Sequence, residues 1–441
     1  MGPKWYLCID LKSFYASVEC ADRGFDPFTT NLVVADPDRG DKTICLAVSP
    51  AMKKLGVPSR CRVFEIPAGI DYIKAKPRMR RYMEASAQIY RIYLGRVSAD
   101  DVHVYSIDEC FIDATGYLAL YRTDARSFAK SLMDDVFRQT HIHATAGVGT
   151  NLFLAKVALD VLAKHSPDGI GVLDEASFQR DMWFHRPLTD IWNIGPGIAR
   201  RLGKYGVRDL AGIAAMREET LYREFGKNAE YLIDHAWGLE PCTIGEIHSY
   251  APSAHSLSNS QVLERDYARD EAHILMREMV DGSVLELTEL GLVCESIALS
   301  VGYARPKGAW SGVEVIDCGH GKIPADGRRL GLHSSGTKKL DRRTNSERYL
   351  MGCFDALFGE VVNPTLPIRR ISIGVGGLLP EKYATATLFD DIAEQKRERA
   401  QQNAVVAIRR KFGKNALLRA TSLQKGARAR ERNTQIGGHH A

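Results

Sequence analysis

The residues best placed to do chemistry are the carboxylates of YSIDECFID (105–113), where Asp108 and Glu109 stand side by side between two apolar arms. Adjacent carboxylates in an apolar setting repel one another and lose hydration, so they need compensation. A divalent cation supplies it, and hard oxygen donors on rigid strands suit Mg²⁺ held together with substrate phosphates. WYLCI (5–9) is a second apolar run, and Asp10 at its end is the natural third ligand, with the Leu11 carbonyl as a fourth. Two metals held this way would clamp the attacking and leaving oxygens of an in-line phosphoryl transfer. The alternative is a turn in which the aspartate caps and the glutamate is solvated.

These residues need strands to hold them. WYLCI is predicted as a buried strand, LKSFYASVEC (11–20) as a helix with Phe14 and Val18 on one face, and 103–115 as two strands meeting at a tight connection. Residues 32–66 suggest short strands around a small helix, and a helix runs from Lys76 to near Arg96. A helix at 124–139, a strand at 145–150 and a helix at 151–164 complete an alternating α/β or α+β pattern over 1–172. On the last helix Lys156 and Asp160 are spaced for an i, i+4 ion pair.

CIDLKSFYASVE (8–19) and YSIDECFID together closely resemble the two catalytic motifs of the Y-family, or lesion-bypass, DNA polymerases. The bacterial UmuC-type branch, similar to DNA polymerases IV and V, is the nearest in look. The resemblance implies that Asp10, Asp108 and Glu109 bind two Mg²⁺ ions and that Leu11 lends its carbonyl. It places Phe14 and Tyr15 under the incoming sugar, with Tyr15 as the ring that blocks a 2′-hydroxyl. TAGVGTNLFLAKVA (145–158) also matches, and puts Lys156 where the family has a lysine reaching the triphosphate. One segment departs from the family: AVSPAMKKLGV (47–57) has Pro50 where a tyrosine is usual and Lys53 where an arginine is usual. A lysine is a point charge without the bidentate fork. Ser49 and Lys53 are the phosphate-binding candidates that remain there.

DIWNIGPGIARRLGKYGVRDL (190–210) has the form of a helix-hairpin-helix. The helix-start amides at Gly195 and Gly197, with Arg200, Arg201 and Lys204 behind them, can hold a DNA phosphate without reading bases. Residues 241–255 contain two prolines and lack periodicity, so they are expected to be a linker. A further α+β unit at 256–380 falls where the family has its DNA-gripping little finger. It carries Arg305, Arg328, Arg329, Lys338, Lys339, Arg342, Arg343, Arg369 and Arg370, of which Arg305, Arg342 and Arg369 are expected to contact DNA. Its helix at 344–361 should be capped by Thr344 or Asn345. ATATLFDD (384–391) resembles a degenerate sliding-clamp peptide anchored by Leu388 and Phe389.

Bulk properties agree. The 441 residues are 45% apolar and 26% charged, which describes a globular chain of several domains. The nine cysteines form no C-x-x-C, so neither a disulfide framework nor a paired zinc site is expected. No run approaches the length of a membrane span and the N-terminus reaches a charge too soon for a signal core, so the expected location is cytoplasmic. Residues 391–441 hold 12 Lys/Arg against 4 Asp/Glu, and the remainder 47 against 50, which suggests a polyanion partner for the tail.

The expected fold is therefore α+β and multidomain, a right hand. Its parts are a palm (1–13 and 77–172), small fingers (14–76), a helical thumb (173–240), the linker, a little finger (256–380) and a basic tail (381–441). The expected partners are primer-template DNA, a dNTP, the bacterial sliding clamp and an accessory subunit. Two other classes share parts of this pattern: a palm-fold nucleotidyl cyclase, and a DNA-binding accessory protein that has lost catalysis.

Overall fold

The computed structural model describes residues 4–251, 256–304, 333–387 and 391–441. It divides into two compact units, residues 1–251 with 439–441, and residues 252–438.

The first unit is organised by a strand that is apolar except for Asp10. In β1 (Tyr6–Leu11) the residues Tyr6, Leu7, Cys8 and Ile9 are all buried, because both faces of the strand are covered. The chain then turns through Ser13, a non-glycine residue held in the left-handed region at φ +49°, and enters α1 (Phe14–Ala21). A small three-stranded sheet follows, made of β2 (Leu32–Val34), β3 (Ala47–Val48) and β4 (Ile73–Ala75), with the one-turn helix α2 (Pro50–Lys54) after β3. Next come α3 (Met79–Leu94), the strands β5 (Val102–Val104) and β6 (Glu109–Asp113), α4 (Thr115–Tyr121) and α5 (Ala125–Thr140). β7 (Ala144–Gly149) and β8 (Ile170–Leu173) complete a five-stranded sheet in the order β5-β6-β1-β7-β8.

Between β7 and β8 runs the helix predicted for 151–164. It is capped by Asn151, begins as α6 (Leu152–Val157), and is wound as π-helix from Ala158 to Ala163. It lies unusually close to the sheet, and glycine makes this possible. A Cβ on Gly147 would fall 1.9 Å from the Ala155 carbonyl oxygen, one on Gly149 2.2 Å from the Ala155 nitrogen, and one on Gly171 2.3 Å from the Ala158 oxygen.

The rest of the unit is helical: α7 (Glu175–Met182), α8 (Pro196–Gly203), α9 (Leu210–Ala214), α10 (Glu218–Phe225) and α11 (Ala229–Ala236) around their own apolar core. The expected linker holds a further helix, α12 (Ile244–Ser249). Its N-terminus is a reciprocal capping box of Thr243 and Glu246, and Ile244 is buried among Tyr6, Cys8 and Phe111. The stretch 243–249 is thus part of the first unit, not a spacer.

The second unit opens with β9 (Ser256–Tyr267) and α13 (Arg269–Leu290), followed by β10 (Leu292–Tyr303), β11 (His333–Thr344), α14 (Glu347–Val361) and β12 (Ile368–Gly376). The strands pair in the order β11-β10-β12-β9. Ile297, Leu299, Val301 and Tyr303 of β10 and Ile371, Ile373 and Val375 of β12 point to one side, as their alternation requires, and join α13 and α14 in the core. The cap of α14 is Ser346, which accepts from the Tyr349 amide. Thr344 still belongs to β11, and Asn345 is buried, donating to the Leu292 carbonyl.

The basic tail is a layer of this unit. α15 (Ile392–Phe412) places Gln402 in a buried position, where it donates to the Asn345 carbonyl at 3.1 Å. Arg409 and Arg419 both pair with Asp281 of α13, Arg419 also meets Glu347, Arg399 meets Glu381, and Arg428 meets Glu264. These guanidinium charges are satisfied inside the unit, which the charge count alone did not reveal. Truncation after Pro380 is therefore expected to destabilise the second unit, because Asp281 would lose both partners; breaking a buried pair costs about 3–5 kcal/mol. Thermal unfolding of full-length and truncated chains checks this. A fall in midpoint on the order of 10 °C is expected, and equal midpoints would show that the tail is not a structural layer.

Candidate active site

The strand register brings the three carboxylates together. Asp10 of β1 lies directly opposite Glu109 of β6, and the Leu11 amide donates to the Asp108 carbonyl at 2.9 Å. Like charges directly opposite across an antiparallel pair are destabilising, so the fold maintains this pair at a cost. Burial first, and then the charges of Asp108 and Glu109, push the Asp10 carboxyl up to about 7. Each of the other two carboxylates has a protein partner. Asp108 accepts from the Ser106 hydroxyl at 2.7 Å. Glu109 accepts from the Cys8 thiol at 3.0 Å and is paired with the Lys156 ammonium at 2.6 Å. The Cys8 thiol is pushed well up by burial and by Glu109, so it stays a neutral donor.

Among the described residues no three acidic, histidine or cysteine side chains are already gathered as a metal cage. The donor chemistry nevertheless fits a hard divalent cation. Asp10, Asp108 and Glu109 offer only oxygen donors, and burial together with the charges of Asp108 and Glu109 raises the Asp10 carboxyl. Asp10, Asp108 and Glu109, with the Leu11 carbonyl, are the groups that would hold it.

The lysines of this region have different surroundings. Lys156, assigned to the triphosphate from sequence, is buried and held by Glu109 and by Asp160 at 3.2 Å. Lys53 on α2 feels the charge of Asp10 and of two further ammonium groups, Lys12 after β1 and Lys164 at the end of the π-wound segment. Partial desolvation and the like charges of Lys164 and Lys12 hold Lys53 below the ordinary lysine range, against the pull of Asp10. Lys12 was not singled out from sequence, and Lys164 was read only as the last member of the i, i+4 stripe with Lys156 and Asp160.

Ser49 is a correction. Its side chain is buried, accepts from the Met52 and Leu32 amides and donates to the Thr30 carbonyl at 2.8 Å. It is the N-cap of α2, with Pro50 opening the helix, and has no face left for a phosphate. Phe14 is likewise a core residue at 3% exposure. Tyr15 is partly exposed, and its ring stacks on Tyr82 of α3 with centroids 4.4 Å apart and planes 15° from parallel.

Gly195 and Pro196 begin α8 as expected, and Gly195 offers no side-chain cap, so the first-turn amides are uncommitted to one. Arg200 is exposed, but the Arg201 guanidinium lies over the Phe225 ring at 4.1 Å and Lys204 stands at the far end of the helix. In the second unit Arg342 pairs with Asp341 at 2.8 Å, and Arg369 with Asp266 at 3.2 Å. Arg305, Arg328, Arg329, Leu388 and Phe389 lie outside the described residues.

A palm-like sheet with opposed carboxylates, a helical region and a separate α+β unit define the Y-family polymerase fold. The solved structure of a Y-family DNA polymerase chimera, Dbh-Dpo4-Dbh, superposes with a TM-score of 0.61 over 85% of this chain and 99% of its own, at 19% identity. Residues 9–160 match the impB/mucB/samB family and 254–388 the C-terminal domain of the same family. UvrX of Bacillus subtilis (strain 168) is 30% identical over 98% of this chain and 97% of its own length. DNA polymerase IV 2 of the same organism is 28% identical over the full length of both chains. The chain belongs to the impB/mucB/samB family.

Proposed function

We propose that Asp10, Asp108 and Glu109 are the metal-binding carboxylates of a template-directed DNA polymerase that extends a primer past damaged bases. Relatives matched along nearly their whole length carry the name DNA polymerase IV, and this chain is a DNA polymerase of that lesion-bypass kind. The observation that supports the site is the register that sets Asp10 opposite Glu109 beside Asp108. In this reading residues 1–13 and 77–172 form the palm, 14–76 the fingers, 173–240 the thumb and 256–380 the little finger. The nucleotidyl-cyclase and inactive-accessory readings gain no support from these relatives.

The reaction joins the primer 3′-oxygen to the α-phosphorus of a dNTP and releases pyrophosphate. Bound Mg²⁺ would lower the pKa of the attacking hydroxyl and neutralise charge on the leaving phosphates. The chain's own residues do the rest. Lys12, Lys53 and Lys164 receive the triphosphate charge, and Tyr15 faces the sugar. Lys156 balances Glu109. The amides at Gly195 and Gly197, with Arg200, hold a DNA phosphate. Small fingers leave the nascent pair loosely enclosed, which favours bypass and lowers accuracy. A sliding clamp at 384–391 and an accessory subunit complete the proposed partners.

Primer extension with purified protein, Mg²⁺ and single dNTPs, on intact and damaged templates, tests this; no incorporation on either template overturns it. In the same assay Lys53→Ala and Lys164→Ala should each raise KM for dNTP about tenfold or more, the worth of a charge-assisted hydrogen bond. Unchanged KM in both would remove the three lysines from the triphosphate.

A further inference from the structure

Glu19, on the last turn of α1, is fully buried and plays no part in the chemistry described so far. Three groups converge on its carboxylate. The Tyr82 hydroxyl donates to Oε1 at 2.8 Å, Arg78 Nε donates to the same oxygen at 2.8 Å, and Arg23 pairs with Oε2. The second arm of Arg78 reaches Asp22 at 2.7 Å, and Arg81 binds Asp22 through two nitrogens. The contact between α1 and α3 is therefore a charged net where two apolar side chains would have joined the helices at less desolvation cost. Burial raises the Glu19 carboxyl, but Arg78, Arg23 and Tyr82 outweigh it and leave it below the ordinary range, so it is an anion.

What the net fixes is a ring. Tyr82 is fully buried, its hydroxyl is tied to Glu19, and its face carries Tyr15. Phe14 touches Tyr15 from the side, with centroids 5.7 Å apart and planes at 47°, so it does not supply the same support. An apolar contact would have left Tyr82 free to slide in its plane, whereas a hydrogen bond to a triply held carboxylate does not.

We propose that Glu19 is a positioning residue for sugar selection: through Tyr82 it sets the height and tilt at which the Tyr15 ring meets C2′ of the incoming nucleotide. This rests on Tyr15 acting as the sugar filter. A filter that works by a clash is only as sharp as its wall is fixed, since a ring displaced by a fraction of an ångström admits the extra oxygen.

The test compares kcat/KM for dCTP and CTP opposite template G in the wild type and in Tyr82→Phe, Glu19→Gln, Tyr15→Ala and the Tyr15→Ala/Tyr82→Phe double variant. Tyr82→Phe keeps the stack and the volume and removes only the tether, so it remains informative where Glu19→Gln fails to fold. Tyr82→Phe should lower the dCTP:CTP preference roughly threefold to tenfold, the scale of an aromatic contact, chiefly through a lower KM for CTP. In the Tyr15→Ala background the same change should leave the ratio where it was. A purely structural role would lower activity on both nucleotides together and leave the ratio unmoved, which overturns the proposal. If Tyr15→Ala itself leaves the ratio unaltered, the sugar-filter reading has failed and the proposal with it. If Tyr15→Ala shifts the ratio and Tyr82→Phe does not, the proposal alone is overturned.

Discussion

Asp108→Ala is expected to abolish nucleotide incorporation, lowering kcat/KM by about a thousandfold or more, while primer-template affinity stays near wild type. Asp108 is the cleaner of the two carboxylates to remove, because its described side-chain partner is only the Ser106 hydroxyl. Glu109→Ala should be equally inactive, but it also leaves the Lys156 ammonium buried with Asp160 as its remaining carboxylate partner. A buried cation stripped of its main partner destabilises the fold, so the Glu109 variant should melt earlier and the Asp108 variant should not. Single-turnover extension reads the chemistry, and fluorescence anisotropy at fixed salt reads the DNA affinity. Incorporation within tenfold of wild type in both variants would end the metal assignment.

Tyr15→Ala is the second large effect. The residue follows Asp10 by little more than one turn of chain, beyond the strained Ser13, and its ring is partly exposed while Phe14 beside it is buried. In the proposed reading, a nucleotide whose phosphates reach Lys12, Lys53 and Lys164 would bring its sugar to this ring. Without the ring the 2′-oxygen meets no wall, and the carboxylates are untouched. The preference for dCTP over CTP should fall by on the order of a hundredfold, the scale at which a site can reject or admit one hydroxyl by shape. Incorporation of dCTP should continue at a reduced rate. A variant still active with dCTP whose preference is unaltered would remove Tyr15 from this role.

The strands that carry the carboxylates were legible because their acidic residues contradict their surroundings. Carboxylates at the ends of runs such as WYLCI and inside YSIDECFID make no sense as packing, so chemistry is the economical reading. Alternation in 297–303 and 371–375 was equally plain. The i, i+4 pairing of Lys156 with Asp160 was legible from spacing and is present, whereas the ion pair of Lys156 with Glu109 joins a helix to a strand far away in sequence and had no local signal. Ser49 was readable as a cap, since a serine before a proline at a helix start is the ordinary pattern. Resemblance to a phosphate-binding segment obscured it. The helix at 244–249 also announced itself, through Thr243 and Glu246, but two nearby prolines carried more weight. The tail could not have been read. Its charge was visible, but charge counts do not say that Asp281 waits on another helix.

The glycines beneath α6 bear on how the enzyme can move. Where Gly147, Gly149 and Gly171 face it, the helix sits on bare backbone with no soft layer of side chains to shear through, and packed elements slide along such layers. Lys156 and Lys164, near its middle and at its end, are therefore expected to keep their distance from Asp10 when the fingers move. The strands that precede and follow Lys53 are two and three residues long, and they share a small core of their own. Any closing about a bound triphosphate is therefore expected to be one-sided, with the sheet side as an anvil and Lys53 as the part that travels.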